Sequence, residues 1–390
     1  MSLLASDLLR FHESLPPDLR ARLQTLRSTL EAEIAPGVDA AWLEGRTPSG
    51  WSESFARIAD DVLFPGGFTW PPPSPLFAGL VKYELGRVDA SVATFYGVQI
   101  GLAAASIEVF GSEAQRRRWV GPLTRFESIG SFSLSEPEVG SDAARGVKCT
   151  ARPDGDGWSL TGTKKWSGNA PIADVHVVFA KVEGETGLAG FLIERDAPGM
   201  HIERIETKIA KRAVENAVVT LDSCRVPRDA RLPGVNSFKD VARALSIGRF
   251  VVAFEATGLA AGAFERARAY ALEREQFGRP IASFQLVQDK LVRMAAEVAA
   301  CQALCFRMAD LAEGREPDPA LASLGKVVCA GGMRRVVALA RETLGGNGIL
   351  LEHGIARHFA DAEAVYSYEG TQDINTLIAG RALTGIGAFT

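Results

Sequence analysis

"VKCTARPDGDGWSLTGTKKW", residues 147–166, decides how this 390-residue chain divides. Two short runs alternate apolar and polar residues on either side of Pro-Asp-Gly-Asp-Gly, which is hairpin chemistry. "VHVVFAKVE" (175–183), "LAGFLIER" (188–195), "HIERIE" (201–206) and "AVVTLDSCRVP" (217–227) follow at short spacing, as in a small barrel or sandwich. A β segment is therefore expected over 126–232.

On both sides the rhythm is helical. Residues 1–125 hold "LRARLQTLRSTLEAEI", "SPLFAGLVKYELGRV" and "SEAQRRRWVGPL", interrupted by "FPGGFTWPPPSP", where proline and glycine forbid helix and a plain connector is expected. Residues 233–390 open with "VARALSIGRFVVAFEATGLAAGAFERARAYALERE", apolar over a wide face, as a bundle helix should be. A chain of this length exceeds what one hydrophobic core accommodates, so an α+β chain of several domains is expected.

Composition narrows the function classes. Lys+Arg is 43 against Asp+Glu 47, with no basic run, which argues against a nucleic-acid or membrane-surface partner. The N-terminal stretch carries Asp7, Arg10 and Glu13 where a secretion signal would be apolar, and no apolar run approaches the ~18 residues of a membrane span. Five scattered cysteines fit a reducing cytoplasm, and the five histidines form no metal-ligand spacing.

Five short stretches invite a chemical reading. "SFSLSEPEVGSD" (131–142) leaves a strand through a turn with free N–H groups and hydroxyls, including Gly140 and Ser141. "KKWSGN" (164–169) puts Trp166 at a strand end, as core or as cover for an aromatic face. "EREQFGRP" (273–280) sets Arg274 before a helix break, and "LGGNG" (344–348) permits close backbone approach. Alone, each reads equally as a turn, a core residue or a helix end. "YSYEGTQDIN" (366–375) places Glu369 and a glycine at the seam of two helical patterns, although glycine costs a helix interior about 1 kcal/mol.

Their order and spacing resemble the acyl-CoA dehydrogenase family from about residue 20 to the C-terminus. Within it the chain is most similar to the glutaryl-CoA dehydrogenase branch, which includes plant short-chain acyl-CoA oxidases. The carrying residues are "LPGVNSF", "EREQFGRP", "LGGNGIL" and "DINTLIAGRALTGI". The resemblance implies an N-terminal helical domain (1–125), a middle β-barrel (126–232) and a C-terminal four-helix bundle (233–390). It also implies FAD, an acyl-CoA substrate, a role in fatty acid metabolism and α,β-dehydrogenation to the 2-enoyl-CoA. The electron acceptor is an electron-transferring flavoprotein or, in an oxidase, O₂. A homotetramer is implied, because the flavin site is shared between subunits.

By the same resemblance Glu369 is the base that removes the α-proton. A thioester α-proton is a weak acid, so its base must be a carboxylate in a dry pocket with a raised pKa. Gly370 would leave room for the thioester, and the Glu369 N–H would meet its oxygen. Some relatives carry the base on an earlier bundle helix; ungapped reading puts that position at Gly248, which cannot act, and Arg249 beside it matches a residue near the substrate.

For FAD the resemblance implies Phe132, Leu134 and Ser135 at the flavin, Ser141 near both the pyrophosphate and the pantetheine phosphate, and Trp166 and Ser167 flanking the ring. Arg274, Gln276, Phe277, Gln285, Glu342, Gly345 and Gly346 match positions that meet FAD across a subunit interface; Thr371 and Asp373 match positions near its phosphates and adenine.

Two departures qualify this. Glutaryl-specific relatives hold the distal carboxylate with an arginine where this chain has Ala93, and have an accompanying glutamate where it has Gly86. A carboxylate tail would be buried unpaired there, so a neutral short or medium acyl chain is expected, with a glutaryl-CoA dehydrogenase as an alternative. Dehydrogenases usually have threonine where Gly168 stands, so a small space beside flavin N5 is expected, and with it an oxidase as runner-up. A flavin-bearing relative without turnover is a third reading, opposed by the intact Glu369.

Overall fold

The backbone follows the three textures of the sequence in this computed structural model, which describes residues 5–388. In the first layer α1 (Pro17–Thr29) starts on a proline whose fixed φ suits the first helical position. The proline-rich loop is pinned by Phe68, which stacks on Trp70 and meets Phe64 edge-on. It ends at Ser74, whose side chain accepts the Phe77 N–H at 3.2 Å and so begins α2 (Pro75–Val88). Asp89 breaks the helix in an extended conformation and caps α3 (Ala90–Phe110) through the Ser91 N–H, 2.7 Å away. Within α3, Gly97–Ala104 is a π-helical stretch. Leu23, Leu26, Phe55, Leu85 and Phe95 fill this layer and are fully buried. It closes with α4 (Glu113–Thr124), started by a Ser112/Gln115 capping box.

The middle segment has eight strands: β1 (Gly130–Ser133), β2 (Thr150–Asp154), β3 (Gly157–Gly168), β4 (Val175–Val182), β5 (Ala189–Glu194), β6 (Met200–Arg204), β7 (Asn216–Pro227) and β8 (Arg231–Leu232). β1 and β2 each pair with both β3 and β4, at opposite ends of the two, so these four strands close a ring. β7 and β6 extend it beyond β3, and β5 and β8 beyond β4. The hairpin expected at residues 153–157 joins β2 to β3 with Asp154 opposite Gly157. Strand pairs β1–β4 and β2–β4 are parallel, which a reading of hairpins alone does not anticipate. Val177, Phe179, Phe191 and Leu160 belong to the core of this β segment.

The last segment runs α5 (Phe238–Glu273), α6 (Gln285–Ala312), α7 (Pro319–Thr343), α8 (Ile355–Ser367) and α9 (Gln372–Thr384). α7 packs on α5, α6, α8 and α9, so the expected four-helix bundle carries a fifth helix after the break at Glu369. α5 also packs along α2, so the N-terminal layer and the bundle share an interface. Both α3 and α5 are long and apolar enough to cross a membrane, unlike the sequence expectation, but most of each lies buried in the protein's own core.

Glycine sets how closely α2 and α5 approach. A Cβ on Gly86 would stand 2.5 Å from the Glu255 carbonyl oxygen, and one on Gly258 would collide with the Tyr83 carbonyl. Overpacking such a contact costs about 1–3 kcal/mol. Gly258→Ala is expected to lower the melting temperature by several degrees; a melt identical to the parent's would mean that the two helices separate freely.

Candidate active site

The carboxylate of Glu369 stands where two helices are prevented from joining. α8 ends at Ser367, Tyr368 is extended, and Glu369 and Gly370 take left-handed φ values of 52° and 83°. For glycine this conformation is free, whereas for glutamate it is strained by about 1 kcal/mol or more. α9 is capped by Thr371, whose Oγ1 accepts the Ile374 N–H at 3.2 Å, so Glu369 is not needed as a cap.

Two buried side chains hold the carbonyls exposed by the break. Lys326 Nζ, on α7, donates to the carbonyls of Tyr366 at 2.9 Å and Gly370 at 2.7 Å. Asn375 Nδ2 donates to the carbonyls of Gly370 at 2.8 Å and Thr371 at 3.0 Å. Among the described residues no backbone acceptor takes the Glu369 N–H.

The Glu369 side chain points back at α5. Its Oε2 is buried without a hydrogen-bond partner and lies 2.9 Å from where a Cβ on Gly248 would be. The carboxylate therefore needs the bare backbone of Gly248, and a side chain at either place excludes one at the other. Burial raises the Glu369 pKa, Glu255 adds to the rise, and the cations of Arg249, Lys82 and Lys326 oppose it. Arg249 is pushed down by burial, with its Nε buried and unpartnered. Lys326 is lowered to about 8, chiefly by burial.

A second polar cluster adjoins the base. Tyr368 donates from its hydroxyl to Glu255 Oε1 at 2.6 Å and accepts from Lys211 Nζ at 2.9 Å. Lys211 Nζ also meets Glu255 Oε1 at 3.0 Å and Thr94 Oγ1. On the other oxygen, Lys82 Nζ stands 2.6 Å from Glu255 Oε2 and donates to the Ala93 carbonyl at 2.7 Å. Burial alone would raise Glu255, but the two lysines outweigh it and bring it to about 2. Position 93 lacks an arginine, and Gly86 has no room for a glutamate, yet the ammonium of Lys82 occupies the vicinity.

The β ring brings the expected flavin-side residues together. Phe132 pairs with Gly168 across β1 and β3, and Ser133 Oγ donates to Ser167 Oγ at 2.7 Å. Leu134 is buried, its carbonyl held by Lys164 Nζ at 3.1 Å, and Ser135 is half-buried. Trp166, with φ 66°, is 55% exposed at the strand end. Gly140 and Ser141 are exposed on the turn before a short helix. The space expected at Gly168 is absent: a Cβ there would stand 2.7 Å from Val98 Cγ2 of α3.

The remaining expected residues do not reach this site within one chain. Arg274, Gln276, Phe277, Gln285, Glu342, Gly345 and Gly346 are exposed on the bundle, with Phe277 93% accessible. Thr371 is half-buried and Asp373 exposed on the first turn of α9. Sequence reading missed Lys82, Lys211, Glu255, Lys326 and Asn375. The available signal was a charged residue inside an apolar helical run, as in "AGLVKYELG", "VVAFEATG" and "ASLGKVVCA".

An open cavity of about 790 Å³ lies between the N-terminal half of α5 and the α6–α7 turn. Lys239, Arg243 and Arg315 edge it, with Glu316 and Asp318 beside them, and Arg249 lines it as well as facing Glu369.

Comparison with known proteins agrees with this fold. Three family descriptions match: acyl-CoA dehydrogenase, N-terminal domain, over residues 16–127; middle domain, over 131–224; and C-terminal domain, over 238–384. The mitochondrial short-chain specific acyl-CoA dehydrogenase of Homo sapiens is 36% identical over 381 residues, 95% of this chain and 91% of that one. A glutaryl-CoA dehydrogenase of Mycobacterium smegmatis superposes with a TM-score of 0.92 at 36% identity over 99% of both chains. A structure of a glutaryl-CoA dehydrogenase of the same organism in complex with FADH2 gives 0.93 at 31% identity over 100% of both.

Gly168→Thr is expected to destabilise the protein by about 1–3 kcal/mol by driving into Val98. Adding Val98→Ala should restore most of the loss in thermal melts; a stable single variant would reinstate the empty space.

Proposed function

This chain belongs to the acyl-CoA dehydrogenase family, and on that premise we propose that it performs FAD-dependent α,β-dehydrogenation of a short- or medium-chain acyl-CoA, with Glu369 as base. As a member it is an oxidoreductase. The observation that carries the reading is the buried, unpartnered Oε2 of Glu369 against the bare backbone of Gly248.

Glu369 Oε2 takes the α-proton. Burial gives the carboxylate the proton affinity the step needs, while Arg249, Lys82 and Lys326 keep enough of it ionised to act. As negative charge moves onto the thioester oxygen, the Glu369 N–H donates to it, and the same cations favour the charge. Tyr368 is fixed by Glu255 and Lys211, which limits the swing of the adjoining base. The open cavity reaching Arg249 suits the pantetheine arm and phosphates of CoA.

The residues present fit FAD. Trp166 offers an exposed aromatic face, and positions 140, 345 and 346 lie in open space where a backbone meets a ligand closely. Phe132, Leu134, Ser135, Ser141, Trp166 and Ser167 would hold the flavin half, with Thr371 and Asp373 near its phosphates. The bound flavin supplies a two-electron acceptor for the β-hydrogen. Arg274, Gln276, Phe277, Gln285 and Glu342 are assigned to the flavin of a second subunit. Exposed Phe277, Leu286, Val292 and Ile349 give the apolar surface that a homotetramer would cover. Electron-transferring flavoprotein is the proposed acceptor, and five buried free cysteines suit the cytoplasm. Val98 fills the space at Gly168 on which part of the oxidase alternative rested.

Glu369→Gln should keep FAD and bind acyl-CoA but lose several orders of magnitude in anaerobic flavin reduction by butyryl-CoA. A variant reducing its flavin near the parent rate would move the base elsewhere. In the parent, reduction should quicken as pH rises through a midpoint above that of an ordinary glutamate, because burial holds the proton on Glu369. A midpoint in the ordinary carboxylate range would contradict a desolvated base.

Peroxide formed per enoyl-CoA in air, without an added carrier, should be near zero; a stoichiometric yield at a rate matching dye-coupled turnover would make the protein an oxidase.

A further inference from the structure

We propose that the acyl pocket ends in a polar subsite, built by Lys82, Glu255, Lys211, Thr94 and Tyr368, which takes a short acyl chain carrying an acceptor oxygen at its far end. This rests on the reading of Glu369 as base.

The direction of the chain follows from α5. Its N-terminal half lines the open cavity, Gly248 faces the Glu369 carboxylate, and Glu255 lies two turns, about 10 Å, further along the helix. A thioester that enters through the cavity and stops at Glu369 directs its acyl group towards Glu255.

The opposite wall is α3, which is bare where it matters. A Cβ on Gly101 would find no atom within 4 Å, so that turn opens onto empty space. One turn earlier, a Cβ on Gly97 would stand 2.9 Å from Lys82 Nζ. The half-buried backbone of Gly97 thus leaves an ammonium reachable that any side chain would cover. A further turn back, Thr94 meets Lys211.

Hydrogen-bond accounting separates the two lysines. An ammonium has three N–H groups. Lys211 has three acceptors: Thr94 Oγ1, Glu255 Oε1 and the Tyr368 hydroxyl. Lys82 donates to one, the Ala93 carbonyl; it pairs with Glu255 Oε2 as an ion at 2.6 Å without the alignment of a hydrogen bond, so at least one of its N–H groups is unfilled. A methyl end packed here would seal a cation with a donor unfilled, which is costly. A hydroxyl, oxo or carboxylate oxygen fills that donor instead. A purely bracing role, tying α2 and the 205–215 loop to α5, accounts for Lys211 but leaves the bare Gly97 and the unfilled Lys82 N–H without a purpose.

The test compares valeryl-CoA, δ-hydroxyvaleryl-CoA and glutaryl-CoA as reductants of the holoenzyme flavin, with butyryl-CoA as reference. At least one oxygen-bearing tail should exceed valeryl-CoA in kcat/KM by about tenfold or more. Preference for glutaryl-CoA would assign a carboxylate, and preference for the hydroxy compound an uncharged oxygen. Lys82→Met should collapse that preference. So should Gly97→Ala, which covers the ammonium without removing charge and guards against misfolding of the lysine variant. Valeryl-CoA equalling or exceeding both tails in the parent, or an unchanged ratio in both variants, overturns the subsite while leaving the base assignment intact. Failure of every acyl-CoA, butyryl-CoA included, to bleach the flavin overturns the base assignment, and this inference with it.

Discussion

A carboxylate serves a carbon acid only while it is kept from water and from any partner that would hold its proton site, and yet remains ionised. Most of this molecule's unusual features answer that constraint. Glu369 sits in left-handed backbone, in the break between α8 and α9, with one oxygen unpartnered. Such a conformation persists only where its surroundings over-determine it. Here Lys326 and Asn375 clamp the carbonyls around it, and Gly248 provides the hole into which the carboxylate projects. The charges arranged about it oppose what burial does to its pKa.

The three domains contribute separately to that arrangement. α2 and α5 approach closely through Gly86 and Gly258, which brings Lys82 to Glu255. α3 lies between the bundle and the β ring, with Thr94 and Gly97 towards the charged cluster and Val98 against Gly168. The π-helical stretch over Gly97–Ala104 falls within this shared segment; such irregularities are common at functional sites.

Much of the architecture was legible because it is written in local chemistry. The alternation around 153–157, the prolines before α2 and the glycine at 370 each name their own structure, and the ordered motifs led to Glu369. The parallel pairing of β1 and β2 with β4 was not legible, since it depends on which distant strands meet. The filling of Gly168 by Val98 was missed for the same reason: the two are neighbours only after α3 docks on β3. Lys82, Lys211 and Glu255 come from three separate elements, and nothing in their spacing announces that they converge. A lysine amid apolar residues, such as Lys326 in "SLGKVV", is the one hint the chain offers.

The most direct test of the central claim is exchange of the acyl-CoA α-hydrogen with solvent, followed by mass spectrometry in D₂O under anaerobic conditions. It reads proton removal whether or not oxidation follows. The account predicts deuterium uptake at the α-carbon with the parent protein and none above background with Glu369→Gln. Uptake by that variant at the parent rate would contradict it.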